Sequence, residues 1–309
     1  MISPSNVPKQ LVILSGKGGT GKTSLSAAFA HLACSTDLLS PSVLVDADVD
    51  AANLSLVLHP DQSETHDFWG GSLAEIDAGL CSGCGTCASV CRYDAILPGE
   101  NGRYQIDPIA CDGCAACTYA CPQDAIQMVP QQEGQWFRSI TPYGELFHAE
   151  LFPGKENSGK LVTLIKQQAR LWAEDSQAPL VILDGPPGIG CPVISACAGA
   201  DLGLIVTEPS LAGAHDLKRI LGTLQHFRVP SLVCINKADI YPQGADQIRE
   251  FAAAQGIEVL GDIPYDAYIP QAMVQGQPIT AVFPNAPSVQ AIRQIWESIS
   301  HRLQEQRAS

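Results

Sequence analysis

The chain has 309 residues, with 18 basic and 32 acidic side chains, so its formal net charge is −14. Hydrophobic residues make up 46% of the chain, which excludes an intrinsically disordered protein. The acidic balance excludes a nucleic-acid-coating protein, because binding phosphates needs a basic surface. No apolar run approaches the roughly 20 residues that span a bilayer, and the polar N-terminus is not a signal peptide. We therefore expect a cytoplasmic protein with no membrane span and no nucleic-acid partner.

The first elements are a strand, a glycine-rich loop and a helix. An apolar run at 10–14 predicts the strand, and Ala and Leu recur at helical spacing over 22–34. A second buried strand at 43–45 ends in acidic residues. After a Cys-rich stretch, residues 136–151 are typical of a hairpin, with Pro142 to Gly144 at its turn.

Helices and strands alternate again after the hairpin. Residues 158–174 predict a helix, and four later apolar runs suit strands buried on both faces: 180–183, 204–207, 232–235 and 258–263. We expect the last helix, 288–304, to cover the sheet with its apolar side rather than bind a membrane. The pattern predicts an α/β fold with a mostly parallel sheet, interrupted after its second strand by the Cys-rich insertion.

A phosphate-binding loop is predicted at 16–23, where Gly-Lys-Gly-Gly-Thr-Gly-Lys-Thr fits G-x-x-x-x-G-K-[ST] between a strand and a helix. Glycines let backbone N–H groups approach phosphates, and the helix N-terminus adds partial positive charge. We expect Lys22 to contact the β- and γ-phosphates and Thr23 to bind Mg²⁺. The residues predicted to contact ATP or ADP in this segment are Gly16, Lys17, Gly18, Gly19, Thr20, Gly21, Lys22, Thr23 and Ser24.

Lys17, at the second position of the loop, resembles the signature lysine of the deviant Walker A P-loop ATPases, the family of MinD, ParA, Mrp and the nitrogenase iron protein. The resemblance implies that Lys17 crosses a dimer interface to nucleotide bound by the other subunit. Residues 45–54 resemble the first switch region of that family. There the resemblance implies that Asp48 orients the attacking water and that Asp46 lies near Mg²⁺.

Later segments extend the resemblance to the rest of the α/β part. Residues 183–188 resemble the second switch, which implies that Asp184 holds the Mg²⁺ shell. The stretch from Asn236 to Asp239 resembles the corner that reads the base, and 263–266 resembles the segment that closes over it. The base contacts implied in this way are Asn236, Asp239 and Pro264, with Asn236 facing adenine.

These matches together imply slow, Mg²⁺-dependent ATP hydrolysis by a nucleotide-switched dimer. Phosphoryl transfer is mostly positioning and charge neutralisation, so Lys17, Lys22 and Asp48 are the predicted catalytic residues. We expect either a homodimer or a heterodimer with a paralogous ATPase.

Eight of the twelve cysteines lie between Cys81 and Cys121, in two runs with the spacing C-x2-C-x2-C-x3-C that is typical of bacterial ferredoxins. The second run repeats the first thirty residues later, together with flanking Ile-Asp and Asp-Ala-Ile. In two-cluster modules the fourth cysteine of each run binds the other cluster. The predicted ligands of two [4Fe–4S] clusters are therefore Cys81, Cys84, Cys87 and Cys121 for one, and Cys111, Cys114, Cys117 and Cys91 for the other.

Zinc and disulfides are the alternatives for this cysteine pattern. Structural zinc sites favour two C-x-x-C pairs parted by a longer loop, and a reducing cytosol disfavours disulfides. Among the scattered cysteines, we expect Cys34, Cys197 and Cys234 to be small buried hydrophobes. Cys191 resembles the ligand of a cluster shared between subunits, but a pairing cysteine is missing between 121 and 191.

The predicted domains are a P-loop ATPase domain, 1–70 and 133–309, and a small α+β ferredoxin-like insertion, 71–132. The predicted function couples ATP state to electron transfer or to metal-centre assembly on a partner protein. Two alternatives stay open, namely a metal or Fe–S cluster carrier of the Mrp type and a positioning switch of the MinD or ParA type. The predicted clusters favour electron transfer and the metal or cluster carrier over the positioning switch, because a positioning device does not need clusters.

Overall fold

The computed structural model describes residues 7–35, 39–156 and 158–308. The chain divides into two compact units. The first unit comprises the chain up to His66, Gln135–Leu151 and the chain from Ser158 onward, and the second comprises Asp67–Gly134 and a short segment that starts at Phe152. The second unit is therefore inserted into the first.

The helices and strands follow the predicted alternation. In chain order they are β1 (Lys9–Ser15), α1 (Lys22–Cys34), β2 (Ser42–Asp46), α2 (Leu54–Leu58), β3 (Gln62–Ile76), α3 (Thr86–Val90), β4 (Ile96–Pro98), β5 (Tyr104–Ile106), α4 (Ala116–Ala120), β6 (Ile126–Thr141), β7 (Gly144–Leu151), α5 (Ser158–Asp175), β8 (Leu180–Pro187), α6 (Cys191–Cys197), β9 (Leu202–Thr207), α7 (Leu211–His226), β10 (Ser231–Asn236), α8 (Pro242–Ala254), β11 (Glu258–Ile263), α9 (Tyr268–Val274), α10 (Ile279–Val282) and α11 (Pro287–Ala308).

A sheet in the order β11-β10-β9-β1-β8-β2-β7-β6-β3 forms the frame of the first unit. The pairs from β11 to β7 in this order are parallel, which confirms the predicted α/β fold with a mostly parallel sheet. The predicted hairpin is β6 and β7, joined at Pro142 and Tyr143. The strand β3 and the part of β6 before residue 136 were not predicted, and each of these long strands contains residues of both units.

The core of the first unit is aliphatic. Leu11 to Leu14 of β1 are fully buried, because helices cover both faces of a parallel sheet. The last helix, α11, contributes a buried stripe that ends at Leu303, so its predicted packing role is confirmed: Ile292, Ile295, Trp296, Ile299 and Leu303. None of the helices in the described ranges is long and apolar enough to cross a membrane.

The second unit consists of two structurally equivalent halves. The N–H group of Asp77 donates to Ala125 O, and that of Asp107 donates to Ala95 O, both at 2.8 Å and thirty residues apart in the sequence. Gly83 and Gly113 are equivalent as well, with φ of +71° and +70°. A Cβ atom on either would lie 2.2 Å from a carbonyl oxygen. The sequence repeat is therefore a structural repeat.

One expectation about the scattered cysteines is wrong. Cys197 and Cys234 are buried, as predicted, but Cys34 is exposed. Cys34 is the last residue of α1, where its thiol faces the Tyr143 carbonyl at 3.2 Å instead of the core.

Candidate functional site

The predicted site residues of the first unit gather where its parallel strands end. Asp46 ends β2, Asn236 ends β10, Asp184 lies in β8, and the glycine-rich loop follows β1. Carboxyl ends of neighbouring parallel strands share one edge of the sheet, which is where ligands of open α/β folds bind.

The glycine-rich loop needs its glycines for conformation and for space. Gly19 and Gly21 have φ of +79° and +93°, in the left-handed region that favours glycine. A Cβ atom on Gly21 would lie 2.3 Å from Nδ2 of Asn236, and one on Gly16 would overlap Asp216. Side chains on these residues would push the loop away from the strand ends.

Asp184 is the buried acceptor at the start of α1. Lys22 Nζ lies 3.3 Å from its Oδ1, and the Thr23 hydroxyl donates to its Oδ2 at 2.7 Å. The Ser26 hydroxyl donates to Oδ1 at 2.9 Å. Asp184 is only 1% exposed, so this charge is balanced by buried donors rather than by water. The structure thus joins the lysine and two of the three predicted Mg²⁺ residues, Thr23 and Asp184.

Asp46 fixes the chain after β2. Its carboxylate accepts the backbone N–H groups of Asp48, Asn53 and Leu54 at 2.9 to 3.1 Å. Burial, and then the nearby charge of Asp184, raises the pKa of Asp46 to about 7. Burial also raises the pKa of Asp48. Asp46 and Asp184 are buried side by side on neighbouring strands. Because like charges disfavour joint ionisation, this pair of carboxyl groups favours a cation between them.

Lys17 lies outside the cavity. Its ammonium group forms an ion pair with Glu208, whose other oxygen is 3.6 Å from Lys237 Nζ. Lys237 also donates to the carbonyl of Gly19 at 3.1 Å. Lys17, at the second position of the loop, is therefore held by an acidic residue of its own chain.

A cavity of about 830 Å³ lies against the loop. It is lined by Gly18 through Ser24 and by Asp48 and Asn236, all predicted. Apolar residues that were not predicted form one wall of the cavity: Leu56, Val57, Ile269, Pro270 and Met273. Tyr265, from the segment 263–266 that was expected to close over the base, lines the cavity with them, and we call these six residues the apolar wall. The helix α9 carries three of them, and its short apolar pattern gave no signal of a ligand. The predicted residues Gly16, Lys17, Asp239 and Pro264 do not appear among the described lining residues.

Asn236 contacts the loop rather than open space. Its Nδ2 donates to the carbonyl of Thr20 at 2.7 Å, and its Oδ1 accepts the N–H of Lys237 at 3.0 Å. Asp239 accepts the N–H of Tyr265 at 2.6 Å, which fixes the segment on the apolar wall. Both polar side chains therefore position backbone at the cavity.

Two smaller cavities in the second unit sort the eight clustered cysteines. We name them cavity A and cavity B. The cysteines that line cavity A are Cys81, Cys84, Cys87 and Cys121. Those that line cavity B are Cys91, Cys111, Cys114 and Cys117. Each run thus supplies three cysteines to one cavity and its fourth to the other.

The cysteines do not converge on a point. Among the described residues, no group of three or more His, Cys, Asp or Glu side chains is close enough to hold a single metal ion. Apolar side chains complete the walls, including Ile76 and Ile126 in cavity A and Ala95 and Ile96 in cavity B. The second unit therefore offers two sets of four cysteine sulfur donors, each set around a largely apolar space.

Comparisons with known proteins agree with the geometry of the first unit. The model of the CbiA family, described as the CobQ/CobB/MinD/ParA nucleotide binding domain, matches residues 11–279. An uncharacterized protein of Methanocaldococcus jannaschii is 33% identical over 290 residues, which cover 94% of this chain and 96% of that protein. An iron-sulfur cluster carrier protein of Aquifex aeolicus is 26% identical over 132 residues, 39% of this chain and 36% of its own.

A solved structure has the same fold. The septum site-determining protein MinD of Pyrococcus horikoshii OT3, in complex with Mg-ADP, superposes with a TM-score of 0.57 and 17% identity over 94% of this chain and 96% of that one. At this identity the likeness carries the fold alone, and the family match carries the nucleotide-binding assignment. The chain belongs to the CbiA family, that of the CobQ/CobB/MinD/ParA nucleotide binding domains.

Proposed function

We propose that this protein is a Mg²⁺-dependent ATPase that carries two [4Fe–4S] clusters and couples its nucleotide state to electron transfer, or to metal-centre assembly, on a partner protein. The observation that carries the proposal is the division of eight cysteines between cavities A and B. The division follows the exchange of fourth ligands that is typical of two-cluster ferredoxins.

The donor set favours clusters over zinc. A single zinc ion needs four ligands that converge on one point, whereas each thiolate of a [4Fe–4S] cluster binds a different iron. In each cavity, three cysteines of one run and the fourth of the other surround a largely apolar space, which suits a cluster. Cysteines of cavities A and B would hold one cluster each, and such clusters supply one-electron transfer when bound.

The residues of the first unit suit ATP hydrolysis. Lys22 and the loop N–H groups would neutralise the phosphates, and Thr23 with Asp184 and Asp46 would hold the Mg²⁺ shell. Asp48, which lines the cavity, would orient the attacking water. The apolar wall would cover the base, beside Asn236.

Lys17 supports a dimeric mechanism. In this chain it is paired with Glu208 and does not line its own cavity. We propose that it reaches nucleotide bound by a second subunit, either an identical copy or a paralogous ATPase. Glu208 would then release Lys17 when the dimer forms.

A short covalent path connects the first switch to the second unit. Asp46 holds the N–H groups of Asn53 and Leu54, which begin α2, and α2 is followed directly by β3. β3 enters the second unit at Asp67. A nucleotide that changes the Asp46 contacts would therefore act on the strand that leads to the cysteines.

We assign residues 1–70 and 133–309 to the ATPase domain and 71–132 to a ferredoxin-like domain. A cytoplasmic location is part of the proposal, because cysteine clusters of this kind need a reducing compartment. The partial likeness to an iron-sulfur cluster carrier favours one second candidate, transfer of a cluster to an acceptor protein.

The test is iron content after anaerobic purification. We expect about eight irons per chain, four from each [4Fe–4S] cluster, with absorption near 400 nm. Cys121→Ser should lose the cluster of cavity A and reduce the count to about four, while Cys191→Ser, the matched control outside the cavities, should leave it unchanged. Four irons or fewer per chain, or zinc in place of iron, would contradict the proposal of two clusters. Iron that passes to an apo-acceptor protein would favour the carrier, and iron that stays bound would favour electron transfer.

A further inference from the structure

A groove of about 570 Å³ lies within the second unit, separate from cavities A and B. Its walls are mainly two strand segments, Leu73–Ile76 at the end of β3 and Arg103–Ile106 at β5. We call this space the edge groove. The two segments are thirty residues apart, so they are equivalent positions of the internal repeat.

The edge groove lies along the edges of the two strands and not over a face of either sheet. Successive side chains of a strand point to opposite faces of its sheet. A space that contacts four consecutive residues of a strand must therefore lie at the edge of that strand, and this holds for both segments.

Both edges are terminal among the described strands. β3 is the last strand of the large sheet, with β6 as its neighbour, and β5 pairs with β4 in a two-stranded sheet. A terminal edge presents backbone N–H and C=O groups that can pair with an added strand. Two such edges facing one groove provide a place for an extended peptide.

The walls of the edge groove are also walls of the cysteine cavities. Ile76 and Tyr104 line cavity A as well, and Ala74 and Ile106 line cavity B. A peptide in the groove would be one side chain away from each set of cysteines. This placement suits a segment of a protein that exchanges electrons or iron with the unit.

Charge defines the chemistry of the occupant. Residues 67–134 carry nine acidic and two basic side chains, a net charge of −7 and half of the −14 of the whole chain. Glu75 and Arg103 both line the groove and offset each other, so the negative field comes from the acidic residues around it. A field of one sign attracts partners of the opposite sign and raises their association rate.

We infer that the edge groove binds an extended, lysine- or arginine-containing segment of the partner protein as an added β-strand. The inference rests on the proposed function and deepens it, because it names how the partner protein binds. The two repeat-related edges would provide the backbone pairing, and the acidic surface would favour basic side chains on the strand.

The probe is a dye-labelled hexapeptide of alternating lysine and valine, of ordinary strand length, measured by fluorescence anisotropy with the full-length, anaerobically purified protein. Two control peptides separate strand pairing from charge attraction. One replaces lysine by glutamate, and the other keeps the lysines but carries N-methyl groups on its backbone, which removes its donors. We expect saturable binding of the first peptide and at least about tenfold weaker binding of both controls, or 1.4 kcal/mol.

Substitutions locate the site. Gln105→Trp should fill the groove and weaken binding of the lysine peptide at least about tenfold, whereas Gln127→Trp, at an exposed strand position outside the groove, should not. Glu75→Lys reverses an exposed charge on the wall of the groove. It should weaken binding of the lysine peptide and strengthen binding of the glutamate peptide. Equal binding of the N-methylated peptide, or equal effects of the two tryptophans, would overturn the inference.

Iron content and ATP hydrolysis are measured on the same preparations, so the two proposals fail separately. Full iron content without peptide binding would remove the edge-groove inference alone. Peptide binding by a protein with empty cavities would remove the cluster proposal and leave the groove.

Discussion

The two units of this protein differ in what stabilises each fold. The first unit packs long aliphatic side chains from β1, α1 and α11 into one core. The second unit has a described core of five buried residues, and two of these are cysteines: Ala74, Cys87, Ile96, Cys117 and Ile126. A small unit with so few buried aliphatic side chains needs metals or cross-links for stability. The comparison indicates that the first unit is stable by burial, whereas the second unit would depend on the clusters that we propose its cysteines hold.

The largest predicted effect tests this difference directly. Anaerobic removal of iron with a chelator should unfold the second unit, because metal-binding free energy in a small unit is folding free energy. The first unit should keep its fold and its affinity for ATP. Limited proteolysis with mass spectrometry should show new cleavage sites within 67–134. Equal protection of that range with and without iron would show that the comparison is wrong.

The next effect concerns the buried charges of the first unit. Lys22→Ala removes the cation next to Asp184 and a donor to the phosphates, so we expect kcat for ATP hydrolysis to fall at least about a hundredfold. The iron content should stay at the wild-type value, since the substitution lies in the other unit. Lys9→Ala removes a surface ion pair with Asp201 and serves as the control, with activity unchanged. A Lys22 variant of normal activity would contradict the proposed ATP site.

Protons should affect the stability of the first unit through His148. Burial lowers the pKa of His148 to about 4, while its Nε2 contacts the Ser139 hydroxyl at 2.9 Å. The unfolded chain titrates near 6.5, so between pH 6.5 and 4 it binds the proton that the folded state excludes. Stability should therefore fall as pH is lowered through this window, by about 2 kcal/mol at pH 5.

Urea unfolding at pH 7.5 and pH 5, followed by circular dichroism, measures this effect. His148→Gln keeps a polar partner for Ser139 and should reduce the loss of stability between the two pH values. His301 is exposed on α11, so His301→Gln should leave the loss as in the wild type. If the His148 and His301 variants behave alike, another group is responsible for the pH dependence.

Local patterns were sufficient to predict the regular part of the fold. The helix at 22–34 and the strand at 258–263 have the predicted bounds, because apolar periodicity and the flanking turn residues agree there. The cysteine spacing also predicted which residues share each cavity. Both signals are contained in short stretches of sequence.

Contacts between distant residues were the part that sequence did not reveal. β3 and the first part of β6 were missed because their polar, glycine-containing stretches lack a clear alternation, and each is stabilised by its neighbour in the sheet. The Lys17–Glu208 ion pair and the bond from Asn236 to Thr20 join residues about two hundred positions apart. Such pairs depend on the completed fold.

The smallest predicted effect decides how Asn236 acts. Its Nδ2 is bonded to Thr20 and its Oδ1 to the N–H of Lys237, so the side chain is already engaged in holding the loop. Asn236→Ala should weaken ATP binding about tenfold or less, since it removes one buried hydrogen bond and lets the loop shift.

If Asn236 acts through the loop, binding of ATP and GTP should weaken by the same factor, because the loop would contact the phosphates that both nucleotides share. A selective loss of ATP would show instead that the amide reads adenine directly, as the family resemblance implies. Isothermal titration calorimetry with both nucleotides separates the two roles. Lys9→Ala, the control used for the ATP site above, should leave the affinity for both nucleotides unchanged.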